Sequence, residues 1–557
     1  MEKDKKIQIR VMEVKRTELA ERLGDAHISI LPRKNLIILL CSMSLTLMLS
    51  FADQTGVTIG LSTIGKDLHC ETTINWAGTA SLLSNCVCQI LFGRLSDIFG
   101  RKHVMIVCLF ILSIADLCCG FAQTGIQFFI FRAFAGIGNG AVSSLSMVIL
   151  SDVVTLEQRG KYQGILGASV GVGNAIGPFI MAGFIKSYSW RGFYYFVSPT
   201  MIANIAVVHF LVKNTKKENL DNILSTKDKL KQIDYLGIIT AAIGLTLILV
   251  PISGGGSTFA WNSPLVIVMF IVGTLSLVGF VVIEWKIPEL PMIPLHLFKV
   301  PSLCLLLASS FLFGMAYYGF LYYMPYFFNI VKQKSEVQSA VFLVPLVLCQ
   351  AVGSIISGQI ISRTGHYILT VIVGYSLWCL SNGLLILWSR TLPEYAEVLI
   401  LIVMGTGVGF TFQPTMVAAQ AQAKKSDRAV VISTRNVLRS FGGAVGIAVG
   451  STIVSNSLLS EIATERGLSN LPDDYLEYLE SNIYAKIEIK GLSAGQVNHV
   501  IGMYEKALRN YFYLLIPLIG VCLVSSFFIK DRGLQCIDEA DQRKIVESSS
   551  SSVSNSS

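Results

Sequence analysis

The sequence predicts an all-α membrane protein, and three observations predict it. Of 557 residues, 52% are hydrophobic and only 14% are charged, against about a quarter charged in soluble domains. The mean hydropathy is +0.61. Fourteen apolar runs follow one another along the chain, each about the 20 residues that a helix needs to cross a bilayer. The net charge of +8 suits membrane orientation better than nucleic-acid binding, because the basic residues gather in particular loops. Most of the twelve cysteines stand inside apolar runs, as small hydrophobes and not as a disulfide framework. They share no ligand spacing with the seven histidines, so neither a metal nor a cofactor is expected.

Residues 1–34 are polar, carry nine Lys or Arg, and read as a cytoplasmic N-terminal tail without a cleavable signal peptide. The apolar runs then fall at about 35–58, 74–93, 103–122, 126–150, 163–185, 192–212, 235–252, 264–284, 302–328, 337–361, 367–388, 396–419, 429–455 and 511–530. Lys and Arg number about 17 in the connections on the side of residues 93–102, with clusters at Lys213–Lys231 and Lys424–Arg428, and about 6 on the other side. The positive-inside rule therefore places both termini in the cytoplasm, as an even number of spans requires. Residues 456–510 read as a long polar outer loop, which can translocate regardless of its charge. Residues 531–557 form a polar cytoplasmic tail whose Ser-rich end is expected to be disordered.

Gly93-Arg-Leu-Ser-Asp-Ile-Phe-Gly-Arg-Lys102 joins the second and third runs. Gly93 and Gly100 allow close approach of helix ends or a turn with φ > 0. Asp97, near the start of the following helix, can accept charge-assisted hydrogen bonds from a basic neighbour. Residues 358–367 repeat the stretch in outline, with Gly358 for Gly93, Gly365 for Gly100 and Ser362 for Asp97. The stretch resembles the signature that follows the second span in the major facilitator superfamily. That resemblance implies two six-helix halves, here 35–213 and 301–530, with an inserted helix pair in 214–300, making fourteen transmembrane helices. It also implies alternating access around a midplane cavity, with Gly93, Asp97, Gly100, Arg101 and Lys102 as the conformational switch.

Other stretches resemble the fourteen-span drug:proton antiporter branch of that superfamily, known from bacterial and fungal efflux pumps. Asp53-Gln-Thr matches a motif of span 1, with Ala52 in place of its leucine. Arg132, with Gly136, Gly138 and Gly140, matches span 4. Gly173, Gly177 and Pro178 match the antiporter motif of span 5, although Met181 and Ala182 replace its last glycines. Trp190-Arg191, Gly405 to Pro414, and Arg435 to Gly446 resemble the start of span 6, span 12 and span 13. The resemblance implies a monomeric transporter that exchanges a small-molecule substrate for protons.

The ionisable residues themselves carry an independent reading. A charge inside a span costs several kcal/mol unless it is paired or hydrated, so Asp53, Asp116, Arg132, Arg435 and Arg439 are candidates. Asp53 lies roughly 27 Å from the inner end of its span and Arg132 about 9 Å from the outer end of its own, so they share a depth, with Asp116 slightly deeper. An Asp–Arg contact that forms and breaks would couple a proton to transport. Structural readings stand beside this one: a buried cation on helix carbonyls for Arg132, a helix-end cap for Asp53, and no motif for Asp116. Gly167, Gly171, Gly173 and Gly177 give span 5 a smooth face, read as a seal or hinge against the other half or as plain packing. Tyr317, Tyr318, Tyr322 and Tyr323 suit either a cavity for bulky or cationic substrates or an interfacial aromatic belt. Tyr317, Tyr318, Gln350, Gln413 and Arg435 are the expected cavity residues. Gly254-Gly255-Gly256 precedes no Lys-Ser/Thr, so it is no nucleotide loop.

The expectation is a proton-coupled antiporter, not an enzyme, that exports toxic small molecules from the cytosol across the plasma or vacuolar membrane. A vacuolar proton-coupled transporter of basic amino acids is the second reading, and a non-transporting membrane sensor the third.

Overall fold

The computed structural model describes residues 33–534 except 71–72, 75, 155, 212–232, 255–259, 288–290, 425–426, 469–470, 473–474, 478 and 480–492. The expected tails, apart from 33–34 and 531–534, and the basic cluster Lys213–Lys231 lie outside the described residues. An apolar bilayer offers backbone amides no partner, so spanning segments close their own hydrogen bonds as helices. Fourteen long helices result among the described residues. The first half holds α1 (Arg33–Asp67), α2 (Trp76–Phe99), α3 (Arg101–Phe121), α4 (Gly125–Val153), α5 (Leu156–Ser187) and α6 (Arg191–Leu211). The inserted pair is α7 (Tyr235–Gly254) and α8 (Pro264–Lys286). The second half holds α9 (Pro301–Tyr326), α10 (Leu343–Thr364), α11 (Ile368–Leu384), α12 (Glu394–Ala421), α13 (Arg428–Leu468) and α14 (Ala494–Ser526). Thirteen are long and apolar enough to span a membrane as straight helices, and α2, bent by 46° near residue 90, makes the fourteenth.

Two connections differ from the sequence reading. Residues 93–102 are not a loop: α2 continues to Phe99, α3 begins at Arg101, and Gly100 alone turns the chain with φ +91°. Asp97 therefore sits in the last turn of α2, not at the start of α3. The outer segment 456–510 is largely helical, because α13 runs on to Leu468 and α14 begins at Ala494. Leu458 and Ile462 of one extension and Val500, Tyr504 and Ala507 of the other are buried at helical spacing. Lys506–Glu461 (2.5 Å) and His499–Glu465 (2.6 Å) pair across the polar faces. Overall polarity hid these turns, which are amphipathic and not apolar.

The halves are built alike, and glycines show how. Helices cross closely where a Cβ would strike the neighbouring backbone. In the first half Gly136 and Gly140 of α4 lie on Ser81 and Asn85 of α2, and Gly173 and Gly177 of α5 on Met48 and Ala52 of α1. In the second half Gly405 and Gly409 of α12 lie on Leu346 and Gln350 of α10, and Gly442 and Gly446 of α13 on Phe311 and Met315 of α9. The spacing of four repeats at every notch. The seam between halves is repeated too: Gly93 of α2 faces Ser433 of α13, and Gly358 of α10 faces Gly160 of α5. α7 and α8 flank this seam, where Ala241, Leu245, Leu249 and Phe280 pack with Cys86 of α2 and Val437 and Ala444 of α13.

This arrangement corrects the expectation for span 5. Gly173 and Gly177 do not meet the other half; they seat α1 of their own half, where a Cβ at Gly177 would lie 2.8 Å from the Ala52 Cα. The residues of α5 that face the other half are Gly160, Gly164, Gly167 and Gly171, against Gly358, Ser354, Gln413 and Val347. The two sets stand on different sides of one helix, so α5 carries both contacts. Pro178 lies inside α5, one residue beyond the second notch.

Candidate functional site

The first half buries a charge cluster. Asp53 of α1 is 0% exposed and Arg132 of α4 is 1% exposed. Arg132 Nη1 donates to Asp53 Oδ1 at 2.6 Å, and Asn139 Nδ2 donates to Asp53 Oδ2 at 3.0 Å. Ser50 Oγ donates to Asn139 Oδ1 at 2.5 Å, which fixes the amide. Both Asp53 oxygens are thus bonded. Asp116 of α3 is equally buried, stands within electrostatic range of Asp53 and Arg132, and has no hydrogen bond on either oxygen. The shared depth read from the sequence brings Asp53 and Arg132 into contact. Asn139, the third member, carried no signal beyond being polar within a span.

A second network ties the ends of α2, α3 and α4 on the face of the Gly100 turn. Asp97 accepts from Arg101 Nη1 at 2.5 Å and from Arg94 Nη1 at 3.4 Å. Arg101 Nε also donates to Asp152 Oδ2 of α4 at 2.9 Å. Arg94 Nε donates to the Pro291 carbonyl oxygen at 2.7 Å, binding the chain that follows α8. Glu284 of α8 accepts from the Met292 amide at 3.0 Å and holds that turn. Lys102, the last switch residue named from the sequence, is half-buried beside this network. On this face the halves touch: Lys161 N of α5 donates to Ser362 Oγ of α10 at 2.8 Å, where the sequence repeat puts serine for Asp97.

Between the halves lies a cavity whose water-accessible space is about 10 Å³, room for about one water molecule. The first half contributes Leu47 and Phe51 of α1, Ser143 and Met147 of α4, and Val170 of α5. The second contributes Phe412, Gln413 and Met416 of α12, and Asn436 and Arg439 of α13. Neither amide atom of Gln413 is hydrogen-bonded. Of the cavity residues expected from sequence, Gln413 lines this space. Arg435 lies one turn from Arg439, with Nη2 donating to the Phe412 carbonyl and to Thr415 Oγ1, both at 2.7 Å. Tyr317 donates to Gln350 Oε1 at 2.7 Å inside the second half, and Tyr318 packs on Gly443. Tyr323 donates to the Ile447 carbonyl at 2.7 Å, and Tyr322 is 44% exposed. None of the four tyrosines is among the side chains lining this space.

Comparison with known proteins gives one family. The profile of the Major Facilitator Superfamily matches residues 43–447. The chain is 43% identical to citrate exporter 1 of Yarrowia lipolytica over 93% of its own length and 76% of that protein. It is 29% identical to the efflux pump dotC of Dothistroma septosporum strain NZE10, over 78% of this chain and 74% of the pump. Among solved structures, the MFS proton:xylose symporter XylE superposes with a TM-score of 0.56 at 11% identity, covering 92% of this chain and 99% of the symporter. That likeness is one of fold.

Proposed function

Because this chain belongs to the Major Facilitator Superfamily, we propose that it exports a small organic molecule from the cytosol in exchange for protons, by alternating access between its halves. The buried Asp53–Arg132 pair with the unbonded Asp116 beside it carries the reading. A proton arriving on Asp53 removes the charge that holds Arg132. Asp116, buried beside the pair with no hydrogen bond, becomes the anionic partner of Arg132 when its own proton passes to Asp53, so one proton transfer shifts the salt bridge from α1 to α3. The α1–α5 notches at Gly173 and Gly177 make those two helices one body. Movement of α1 is thereby felt at the seam of α5 with α10 and α12. The Asp97–Arg101–Asp152 network ties α2, α3 and α4 into one body on the face of the Gly100 turn, where the first half meets the second. The names of two relatives, an efflux pump and a citrate exporter, support export as the direction.

The test is efflux from sealed vesicles under an imposed pH gradient, with a panel of organic acids and uncharged and cationic drugs. Asp53→Asn and Arg132→Ala are each expected to lower gradient-driven efflux at least tenfold, and the double variant to be no worse than either. Asp116→Asn should slow efflux while leaving the protein folded. Strictly additive losses for Asp53 and Arg132 would mean two separate roles and end the shared-unit reading.

A further inference from the structure

Two buried cations on α13 have no counter-charge. Arg435 and Arg439 are 2% and 4% exposed and stand one turn apart, on one face of the helix. No acidic side chain pairs with either among the described residues. Arg435 leaves Nε and Nη1 unbonded, and Arg439 leaves Nε unbonded. The Arg439 guanidinium lies over the Phe412 ring, 4.6 Å from its centre, at the wall of the central cavity. Arg132, by contrast, is matched by Asp53 at 2.6 Å.

The repeat shows that the scaffold does not need these charges. Gly442 of α13 takes the place of Gly173 of α5. Arg435 and Arg439 then correspond to Leu166 and Val170, and Val170 lines the same cavity from the opposite wall. Identical helix packing is achieved there with apolar residues. An unmatched buried charge costs several kcal/mol unless something neutralises it, and a cost carried twice on one face of one helix marks a place where a negative ligand is missing.

We propose that the missing counter-charge is the transported molecule, a small organic anion with two or more carboxylates. It would sit between Arg439, Gln413, Asn436 and Ser143 once the halves part. A guanidinium matches a carboxylate in a planar, two-bond fork. The unbonded Gln413 amide supplies a donor and an acceptor for a hydroxyl or a second carboxylate. Phe51, Met147 and Met416 cover a carbon skeleton. Two fixed positive charges select a dianion over a monoanion and repel basic amino acids, the second substrate class that the sequence suggested. The proposal rests on the export reading and names its substrate.

Binding is measured on the purified full-length protein as a shift in unfolding temperature, with citrate, malate, acetate, glycerol phosphate and lysine as probes. Citrate and malate are expected to stabilise the parent, and acetate and lysine not to. Arg439→Gln should weaken malate binding at least tenfold with an unliganded unfolding temperature no lower than the parent's, Arg439→Lys should recover part of the binding, and Arg435→Gln with Arg439→Gln should abolish it. Undiminished acid binding by Arg439→Gln, preference for lysine, or no acid binding by the parent overturns the proposal. Preference for glycerol phosphate overturns the carboxylate assignment. Vesicle efflux run beside it keeps the two readings apart, since binding without export removes the exporter and leaves the anion site.

Discussion

Asp67 closes the end of α1 on the face opposite the Gly100 turn, and one carboxylate there ties three elements. It accepts from Trp190 Nε1 at 3.0 Å and from Arg191, whose Nη2 donates to the Ala122 carbonyl at 2.8 Å. The Arg191 hydrogen bond outweighs burial and, with Trp190, holds the Asp67 carboxyl below its ordinary value of 3.8. A carboxyl held low when folded contributes stability that is complete above the ordinary value and is lost as pH falls through the lowered one. The side chain is 47% exposed, so the contribution is at most about 1 kcal/mol. Asp67→Asn should therefore lower the unfolding temperature by about one degree at most between pH 5 and 8, and the difference from the parent should fade well below pH 4. An equal difference at pH 3 and pH 7 would show that the charge does not hold the clasp. Trp190 and Arg191 were legible in the sequence, but Asp67 was not, because it lies past the apolar run and no period points to it. Asp53 and Arg132 were legible for a different reason: ionisable residues within spans are few. That Arg439, and not Arg435, reaches the cavity depends on how α13 crosses α12, which no local pattern encodes.

At the scale of elements, α5 shows what glycine spacing reveals and what it hides. The run of small residues announced close packing, but a helix has more than one side, and the sequence does not say which neighbour takes which glycine. The two sets make different predictions. Gly164→Leu places a branched side chain at the seam, where even a Cβ would strike the Ser354 carbonyl oxygen of α10. Overpacking there costs about 1–3 kcal/mol in the state where the halves meet on the Gly100 face. That penalty should shift the population about five- to 150-fold towards the other state. A cysteine at Ser354, in a background free of other cysteines, should become reactive from the Gly100 face. Gly177→Leu instead wedges α1 from α5 beside Asp53, so the expected result is loss of folded protein and not a trapped conformer. Seam closure unchanged in Gly164→Leu would mean that the halves do not part along α5. The ends of α13 and α14 escaped the sequence for a related reason: an apolar run marks what faces lipid, and these turns face each other.

Across the whole molecule, the repeat was visible in the sequence at one place, the glycines of 93–102 and 358–367, while the structure repeats every notch. Backbone contact at a notch demands a small residue and leaves the rest of the helix free to diverge. Function has settled into that freedom unevenly. Asp53 corresponds to Ala316 and Arg132 to Leu401, so the ion pair belongs to the first half alone; the unmatched arginines belong to the second. This asymmetry has an electrical consequence. With Arg439 at the cavity wall and Arg435 one turn behind it, the proposed site is charged when empty and would be neutral when it holds a dianion, so its empty and loaded turns would feel the membrane voltage differently. Each elementary charge carried through 100 mV is worth about 2.3 kcal/mol. Sending a dianion out of a compartment that is negative inside therefore releases about 4.6 kcal/mol at 100 mV, a roughly 2,000-fold concentration ratio, before any proton contributes. The same field draws the empty, positive site back towards the negative side, where the next anion waits. Efflux of malate from vesicles clamped at 100 mV, negative inside, should exceed efflux at zero voltage under the same pH gradient, and Arg435→Gln with Arg439→Gln should flatten that dependence. Equal rates at both voltages would mean that the transported species crosses with its charge already cancelled by protons.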